Sequence, residues 1–266
     1  MSTRLSGFDS QFATHGWVKV ANLLSASELL VLQSECNVLY AQNSAEDIAA
    51  QGCVIDVMSQ YPIHDSDPAR IASGSYLQAR EKQIKTTAAN QKTFASLLFV
   101  KLPAIARQLF ATLDHNDSFT NVYFFNEHYV VKPPQSHVEF RWHRDDDEQL
   151  GMCVHREALS PYVSAWIALD DVTEENGALQ FVSRGTSSRQ NEENVEHLKM
   201  HASKPVTAKS GDVLFFLSNV WHFSSSNDTE NARRAFYAQY SKETITARPN
   251  DSAPLSFAIP CKNCTF

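Results

Sequence analysis

The sequence has no surplus of positive charge. Its formal net charge is −7 over 266 residues, and no basic run of nucleic-acid-binding type occurs. Nothing in the bulk balance therefore attracts a phosphate backbone or an anionic lipid surface. No apolar stretch approaches the ~18 residues of a membrane span. Met1–Ser10 has no apolar signal-peptide core. The last residues, Asn263-Cys264-Thr265-Phe266, match neither a prenylation box nor a peroxisomal Ser-Lys-Leu tail. Cysteine is sparse and odd in number, five in all. Without a secretion signal this favours reduced thiols and a cytoplasmic location. Cys261-Lys-Asn-Cys264 has the spacing of half a zinc site or a redox pair, but no second such pair exists. It reads as a mobile tail with two free thiols. Internal repeats and low-complexity linkers are missing too. The expected partner is a small-molecule substrate, with neither nucleic acid nor membrane, and the sequence carries no signal for an oligomeric state.

What is present suits a globular chain. Hydrophobic residues make up 43% and charged residues 20%, close to globular averages, so a real core can be buried. Aromatics reach 11%, with 16 Phe, which suits a β-rich interior. The length fits one domain over 1–266, helical to about 115, β-rich from about 116 to 245, then a tail. Gly16–Val20 reads as a short strand. Ser25 followed by Glu28 is a capping box opening a helix to about Gln42, with Leu29, Leu30, Leu32, Cys36 and Leu39 on its apolar side. Pro62, Pro68 and Gly74-Ser75-Tyr76 predict loops and short helices over 43–90. Phe94–Leu113 predicts a second helix with Leu97, Leu98, Val100, Leu102 and Ile105 in the core. Strands follow at 121–131, 162–170, 178–182, 213–217 and 234–240. Pro133-Pro134 ends the first of these, because proline cannot donate to a ladder. Asn176-Gly177 is a tight-turn signal. Helices first and strands after predict a helical layer on a β-sandwich or barrel.

Of ten histidines, His143 stands out through His143-Arg144-Asp145. In an extended chain residues i and i+2 share a face, so an imidazole and a carboxylate at that spacing can converge on one ion. A third ligand must come from elsewhere. His222, shortly after the apolar run 213–217, is the candidate. Two histidines and one carboxylate on one face of an octahedron leave three positions open, the facial triad of non-haem Fe(II) oxygenases. A cosubstrate with two carboxylates needs a cation. Arg233, eleven residues after His222, can grip one through paired hydrogen bonds, and Ser224 shares the face of His222. Arg234 points the opposite way from Arg233, and spacing alone does not choose between the two arginines.

The ordered set resembles the phytanoyl-CoA dioxygenase family. That family shows His-x-Asp, then W-x-A-L-D-x-x-x-x-x-N-G-x-L, then Gly-Asp before a strand, then a histidine, a serine two later and an arginine eleven later. Here these are His143 and Asp145, Trp166–Leu179, Gly211-Asp212, His222, Ser224 and Arg233. The opening GWVKVANLLSASEL and Lys132-Pro133-Pro134 are similar as well. The resemblance implies a double-stranded β-helix (jelly roll, cupin-like) with N-terminal helices, mainly β. It implies Fe(II) held by His143, Asp145 and His222, 2-oxoglutarate held by Arg233 with Ser224, and O2 as cosubstrate. It leaves Trp166 open between pocket and core. The family's usual Pro-Gly-Ser-His turn is absent; Ser183-Arg184-Gly185-Thr186 stands there instead, which puts a shared substrate in doubt. Halogenating relatives carry a small residue in place of the carboxylate, so Asp145 argues for hydroxylation, or another two-electron oxidation, over halogenation.

The expected activity is thus hydroxylation of a C–H bond in a small metabolite, with release of succinate and CO2. A non-catalytic jelly-roll binding protein and a zinc hydrolase using the same three residues are the alternatives. Asp146-Asp147-Glu148, directly after the ligand pair, is either a solvated turn or an attractor for a cationic amine.

Overall fold

The structure is a computed structural model and describes residues 7–57, 64, 66–85, 87–113, 121–186 and 194–261. Helix α1 (Phe8–His15) ends at Gly16, whose φ of 76° turns the chain into strand β1 (Trp17–Val20). Both capping-box bonds form at Ser25 and Glu28, opening α2 (Ala26–Tyr40). Its buried side carries Leu32, Glu35, Cys36 and Leu39, spaced for one helical face. Leu30 is 62% exposed, so the predicted stripe is rotated and includes a buried glutamate. Short α3 (Ala45–Ala50) and β2 (Val54–Ile55) follow. Helix α4 (Ser73–Ile84) runs across the Gly74-Ser75-Tyr76 cluster. Gly74 sits in its first turn, where few intrahelical bonds depend on it.

The second predicted helix begins earlier than expected. Thr87 caps α5 (Ala88–Ser96), which continues through a π-helical turn, Leu97–Lys101, into α6 (Leu102–Leu113). Pro103 explains the wide turn: it lacks an N–H, and its ring would clash with the carbonyl of Phe99 in a regular helix. The extra residue rotates the face. Phe99 is buried and Val100 only partly so, whereas Leu97, Leu98, Leu102 and Ile105 are buried as predicted. Ala89–Leu113 is long and apolar enough to cross a membrane by length and composition, although three charges interrupt it. Here its most apolar stretch is 56% buried, with α6 packed against α1, β3 (Val122–Lys132) and β5 (Val163–Ala168).

Strand β3 (Val122–Lys132) leads into β4 (Phe140–His143), α7 (Asp145–Gln149), β5, β6 (Leu179–Phe181) and α8 (Val195–His201). Strands β7 (Val213–Leu217), β8 (His222–Ser224), β9 (Arg233–Ser241) and β10 (Ile259–Cys261) complete the order. The larger sheet runs β1-β7-β5-β9-β3-β10, with β2 also on β3; the smaller runs β4-β8-β6. All these pairings are antiparallel. The fold is a jelly roll, mainly β with helices on the outer face of the larger sheet. Strands are not confined to 116–245: β1 and β2 come from the helical part, and β10 from the expected tail. Cys261 is accordingly no tail residue. It is buried opposite Val122, its thiol pushed up to about 12 by burial. Cys264 lies outside the described residues.

Strand β3 sorts its side chains by alternation. Asn126, His128 and Val130 line a cavity between the sheets. Glu127 and Tyr129 point to the helices, where buried Arg80 pairs with both Glu35 and Glu127. Tyr76 donates to Glu127 at 2.7 Å and Tyr129 to Glu35 at 2.5 Å.

Candidate active site

The smaller sheet delivers the two predicted histidine ligands, and the start of α7 the carboxylate, to one place. His143 and His222 are register partners across β4 and β8, with ring centroids 4.1 Å apart. Arg144 stays extended (φ −120°, ψ 140°), so the i, i+2 argument holds across it although Asp145 already begins α7. One ligand atom from each of His143, Asp145 and His222 lies within 4.8 Å of the others.

Each ligand is set by its surroundings. The Nδ1 atoms face backbone carbonyls, His143 with Arg141 at 2.6 Å and His222 with Val220 at 3.0 Å. Both rings thus keep Nε2 for a metal. Burial, then His143, pushes the His222 imidazole down to about 4, which keeps it neutral and able to ligate. Oδ2 of Asp145 accepts from Ser164 (2.7 Å), Tyr237 (2.5 Å) and Gln239 (3.2 Å). Oδ1 is left toward His222, 3.5 Å from its Nε2. Two neutral imidazoles and one carboxylate oxygen on adjacent sites fit a ferrous ion. None of Ser164, Tyr237 and Gln239 was anticipated; alternation within β5 and β9 is the signal that points them at Asp145.

The paired arginines separate as alternation requires. Arg234 faces α2 and grips Asp170 with Nε at 2.9 Å and Nη2 at 2.6 Å. Arg233 faces the cavity and is 1% exposed. It donates weakly to the carbonyls of Asn176 (3.3 Å) and Gly177 (3.4 Å) and to Ser224 Oγ (3.3 Å). Among the described residues its buried Nη1 has no partner. An orphaned buried donor is costly, and a carboxylate is the group that answers it. Burial pushes the guanidinium down to about 10, still charged at neutral pH. Trp166 belongs to the wall: it lines the cavity, with the Arg233 guanidinium 5.3 Å from its ring centre.

Lys132, which in the sequence ends a strand and belongs to the Lys132-Pro133-Pro134 similarity with no role attached, also reaches this end of the site. Its ammonium is fully buried and bonds Ser224 Oγ (2.8 Å), the Ser224 carbonyl (3.1 Å) and the Ser225 carbonyl. Burial and then Arg233 push it down to about 6. Gly177 makes room for this cluster. Its φ is +89°, and a Cβ there would meet the Ser225 carbonyl at 2.5 Å and Lys132 Nζ at 3.1 Å. The divergent turn 183–186 lies elsewhere, with Ser183 Oγ 2.8 Å from His15 Nδ1.

The cavity reaching from the triad to Arg233 has a volume of about 270 Å³. Phe140, Leu179 and Phe216 supply apolar wall, and Asp56, Asn126 and Glu148 supply polar wall. That size and mixture suit a small molecule.

The sequence profile of phytanoyl-CoA dioxygenase (PhyH) matches residues 12–235. Among curated proteins none matches the chain in sequence. Solved structures do. The non-heme α-ketoglutarate dependent epimerase SnoN from nogalamycin biosynthesis is 17% identical, over 97% of this chain and 96% of its own, with a TM-score of 0.58. The carbocyclase SnoK from nogalamycin biosynthesis is 17% identical over 95% and 88%, at 0.59. EctD from S. alaskensis is 22% identical over 91% and 77%, at 0.55. SnoN has been solved with Fe3+, α-ketoglutarate and nogalamycin RO, and EctD with 2-oxoglutarate and 5-hydroxyectoine. These likenesses carry the fold; the profile carries the lineage. The chain therefore belongs to the phytanoyl-CoA dioxygenase family, whose cofactors are Fe(II) and 2-oxoglutarate.

Proposed function

We propose that this protein is an Fe(II)- and 2-oxoglutarate-dependent dioxygenase that hydroxylates a C–H bond of a small metabolite, with release of succinate and CO2. The observation that carries the reading is a pair of features in one cavity: the His143–Asp145–His222 cluster and the buried Arg233 with an orphaned Nη1. In this reading His143 and His222 hold the iron through Nε2, and Asp145 holds it through Oδ1. Arg233, with Ser224, holds the far carboxylate of 2-oxoglutarate. Iron, 2-oxoglutarate and O2 together supply the oxidising chemistry. The protein's own work is positional. Ser164, Tyr237 and Gln239 keep Oδ2 of Asp145 turned from the metal. Phe140, Leu179 and Phe216 limit water around the reacting groups.

A zinc hydrolase would have no use for a buried guanidinium placed this way. The test is anaerobic addition of Fe(II) and 2-oxoglutarate, followed by O2. A visible charge-transfer band, then O2-dependent succinate release, is expected. Turnover without oxygen would refute the reading. Epimerisation and ring closure are the competing outcomes on this fold. Product mass after turnover under 18O2 separates them: hydroxylation incorporates one heavy oxygen, and the other two gain none.

A further inference from the structure

We infer that Asn126 and His128 recognise the substrate, and that they receive an uncharged group able both to donate and to accept hydrogen bonds, a hydroxyl or a carboxamide. The inference rests on the proposed function and deepens it. Strand β3 carries an irregularity that serves this end. Tyr76 packs its ring against Phe124 (5.3 Å) and donates its hydroxyl to Glu127 (2.7 Å), so both residues face the helices. Strict alternation would put residues three apart on opposite faces. The ladder with β9 absorbs the difference: Phe124 pairs with Tyr240 and Asn126 with Gln239, which leaves Phe125 as an extra residue. Phe125 packs on Tyr162 (5.1 Å), and Asn126 lines the cavity. Without the bulge Asn126 would face the helices. Bulges beside active sites re-aim side chains in this way. Two residues on, His128 is the register partner of Tyr237 and stacks on it at 4.8 Å and 15°. The Tyr237 hydroxyl is bound to Oδ2 of Asp145, so a group received by the imidazole is held in a fixed relation to the metal ligands.

Among the described residues neither the Asn126 amide nor the His128 ring nitrogens have a hydrogen-bond partner, although both side chains are half-buried in the cavity wall. A ligand that covers them without pairing strips their water and binds more weakly for it. Gln149, which also lines the cavity, has its Oε1 taken by the Tyr162 hydroxyl (3.0 Å) and offers only N–H groups. Donors and acceptors together select the group. An amide and a neutral imidazole each present both, and burial holds His128 below the usual imidazole range. An ammonium only donates, and would leave the N–H groups of Gln149 and His128 unanswered. A carboxylate only accepts, and would stand beside Asp145 and a dianionic cosubstrate. Arg233, the one arginine or lysine among the described lining residues, is committed to that cosubstrate. In low dielectric such repulsion costs more than in water. The acidic run supplies no buried counter-charge: Asp147 is bound to Arg144 (2.7 Å) and Arg156 (3.5 Å), Asp146 does not line the cavity, and Glu148, which does, is exposed. Asp56 is already engaged within the chain.

The test uses holoprotein and compounds on one small saturated carbon skeleton, ending in a hydroxyl, a carboxamide, a methyl, a carboxylate or an ammonium group. Two signals are read: perturbation of the anaerobic Fe(II)–2-oxoglutarate band, and succinate release in O2. The hydroxyl or the carboxamide member is expected to perturb the band and to stimulate release, with a KM about tenfold below that of the methyl member. Whichever of the two does so names the group. His128→Phe keeps a ring against Tyr237 and removes both nitrogens; Asn126→Leu keeps the bulk and removes the amide. Each should raise the KM of that member about tenfold, the equivalent of ~1.4 kcal/mol, and move the methyl member less than about twofold. Fe(II) and 2-oxoglutarate Kd values should stay within about twofold of wild type, which a merely structural role would not allow. The inference is overturned if no uncharged polar member acts, if the methyl or a charged member acts as well, or if both variants leave KM unchanged. It is overturned too if the losses follow weakened Fe(II) binding. Where a variant does not fold, the wild-type ranking decides. Absence of the band itself would instead remove the iron and 2-oxoglutarate reading beneath it.

Discussion

Asp145 divides its labour between two oxygens, and the division can be tested atom by atom. Three protein donors saturate Oδ2, and Oδ1 alone remains for a metal. Loss of an outer partner typically costs ~10–100-fold in metal affinity. Tyr237→Phe, which keeps the ring and removes one donor, should therefore weaken Fe(II) binding by about tenfold in an anaerobic titration. An unchanged affinity would show that the tyrosine only packs. Asp145→Ala should abolish metal-dependent succinate release outright. The arginines offer a sharper contrast because they are neighbours in sequence. Truncating one partner of a buried, hydrogen-bonded charge pair costs ~2–5 kcal/mol. Arg233→Met should thus raise the 2-oxoglutarate Kd by at least about thirtyfold, followed by the charge-transfer band. Arg234→Met should leave that Kd alone and lower Tm, since its partner is Asp170 on the helix side.

At the scale of elements, the cosubstrate end depends on how closely β8, β9 and the 176–177 turn approach. Gly177 is where that approach is tightest. A methyl group there meets a backbone carbonyl, which cannot swing aside as a side-chain tip can, and the positive φ adds strain of ~1–2 kcal/mol. Gly177→Ala should lower Tm by several degrees and weaken 2-oxoglutarate binding as Ser224 and Lys132 are displaced. A variant with lower Tm but unaltered 2-oxoglutarate affinity would place the role of Gly177 in folding only. The Asn-Gly signal was legible in the sequence because turn chemistry is local. Its contact with Lys132 was not, because the lysine lies 45 residues away on another strand.

Across the whole molecule, the helical layer and the larger sheet meet over a buried charge cluster as well as an apolar core. Burial leads in pushing Glu127 up to about 7 from 4.5, against the pull of Arg80. A carboxyl whose folded pKa is raised binds its proton more tightly when folded. Its contribution is full below pH ~4.5 and is lost as pH rises through about 7. Asp146, pushed up to about 6 mainly by burial, acts in the same sense. His222 and Lys132, both pushed down by burial, act in the opposite sense, so the Glu127 contribution is read as a difference. In urea melts of the apo-protein, the stability of wild type relative to Glu127→Gln should decline between pH 5 and 7.5. A difference that stays flat or rises over this range would contradict the assignment.

Some of this was determined by sequence alone. The capping box at Ser25 and Glu28, the apolar strands and the Asn-Gly turn act within a few residues, so local chemistry suffices to read them. The spacing of His143, Asp145, His222, Ser224 and Arg233 was legible as an ordered pattern through its resemblance to the family's; strand alternation separates Arg233 from Arg234 but does not say which of them faces the cavity. Other features were decided only by tertiary structure. Pro103 turns a regular helix into a wide one, and Val100 loses its core position to Phe99. Cys261 becomes a sheet residue because β3 presents an edge for it to pair with. Ser164, Tyr237 and Gln239 become partners of Asp145 because β5 and β9 are neighbours. Glu148 differs from Asp146 and Asp147 because the first turn of a short helix points successive carboxylates in different directions. Such assignments depend on which distant elements come to lie side by side, and burial and pairing energies between segments decide that, not the chemistry of any one segment.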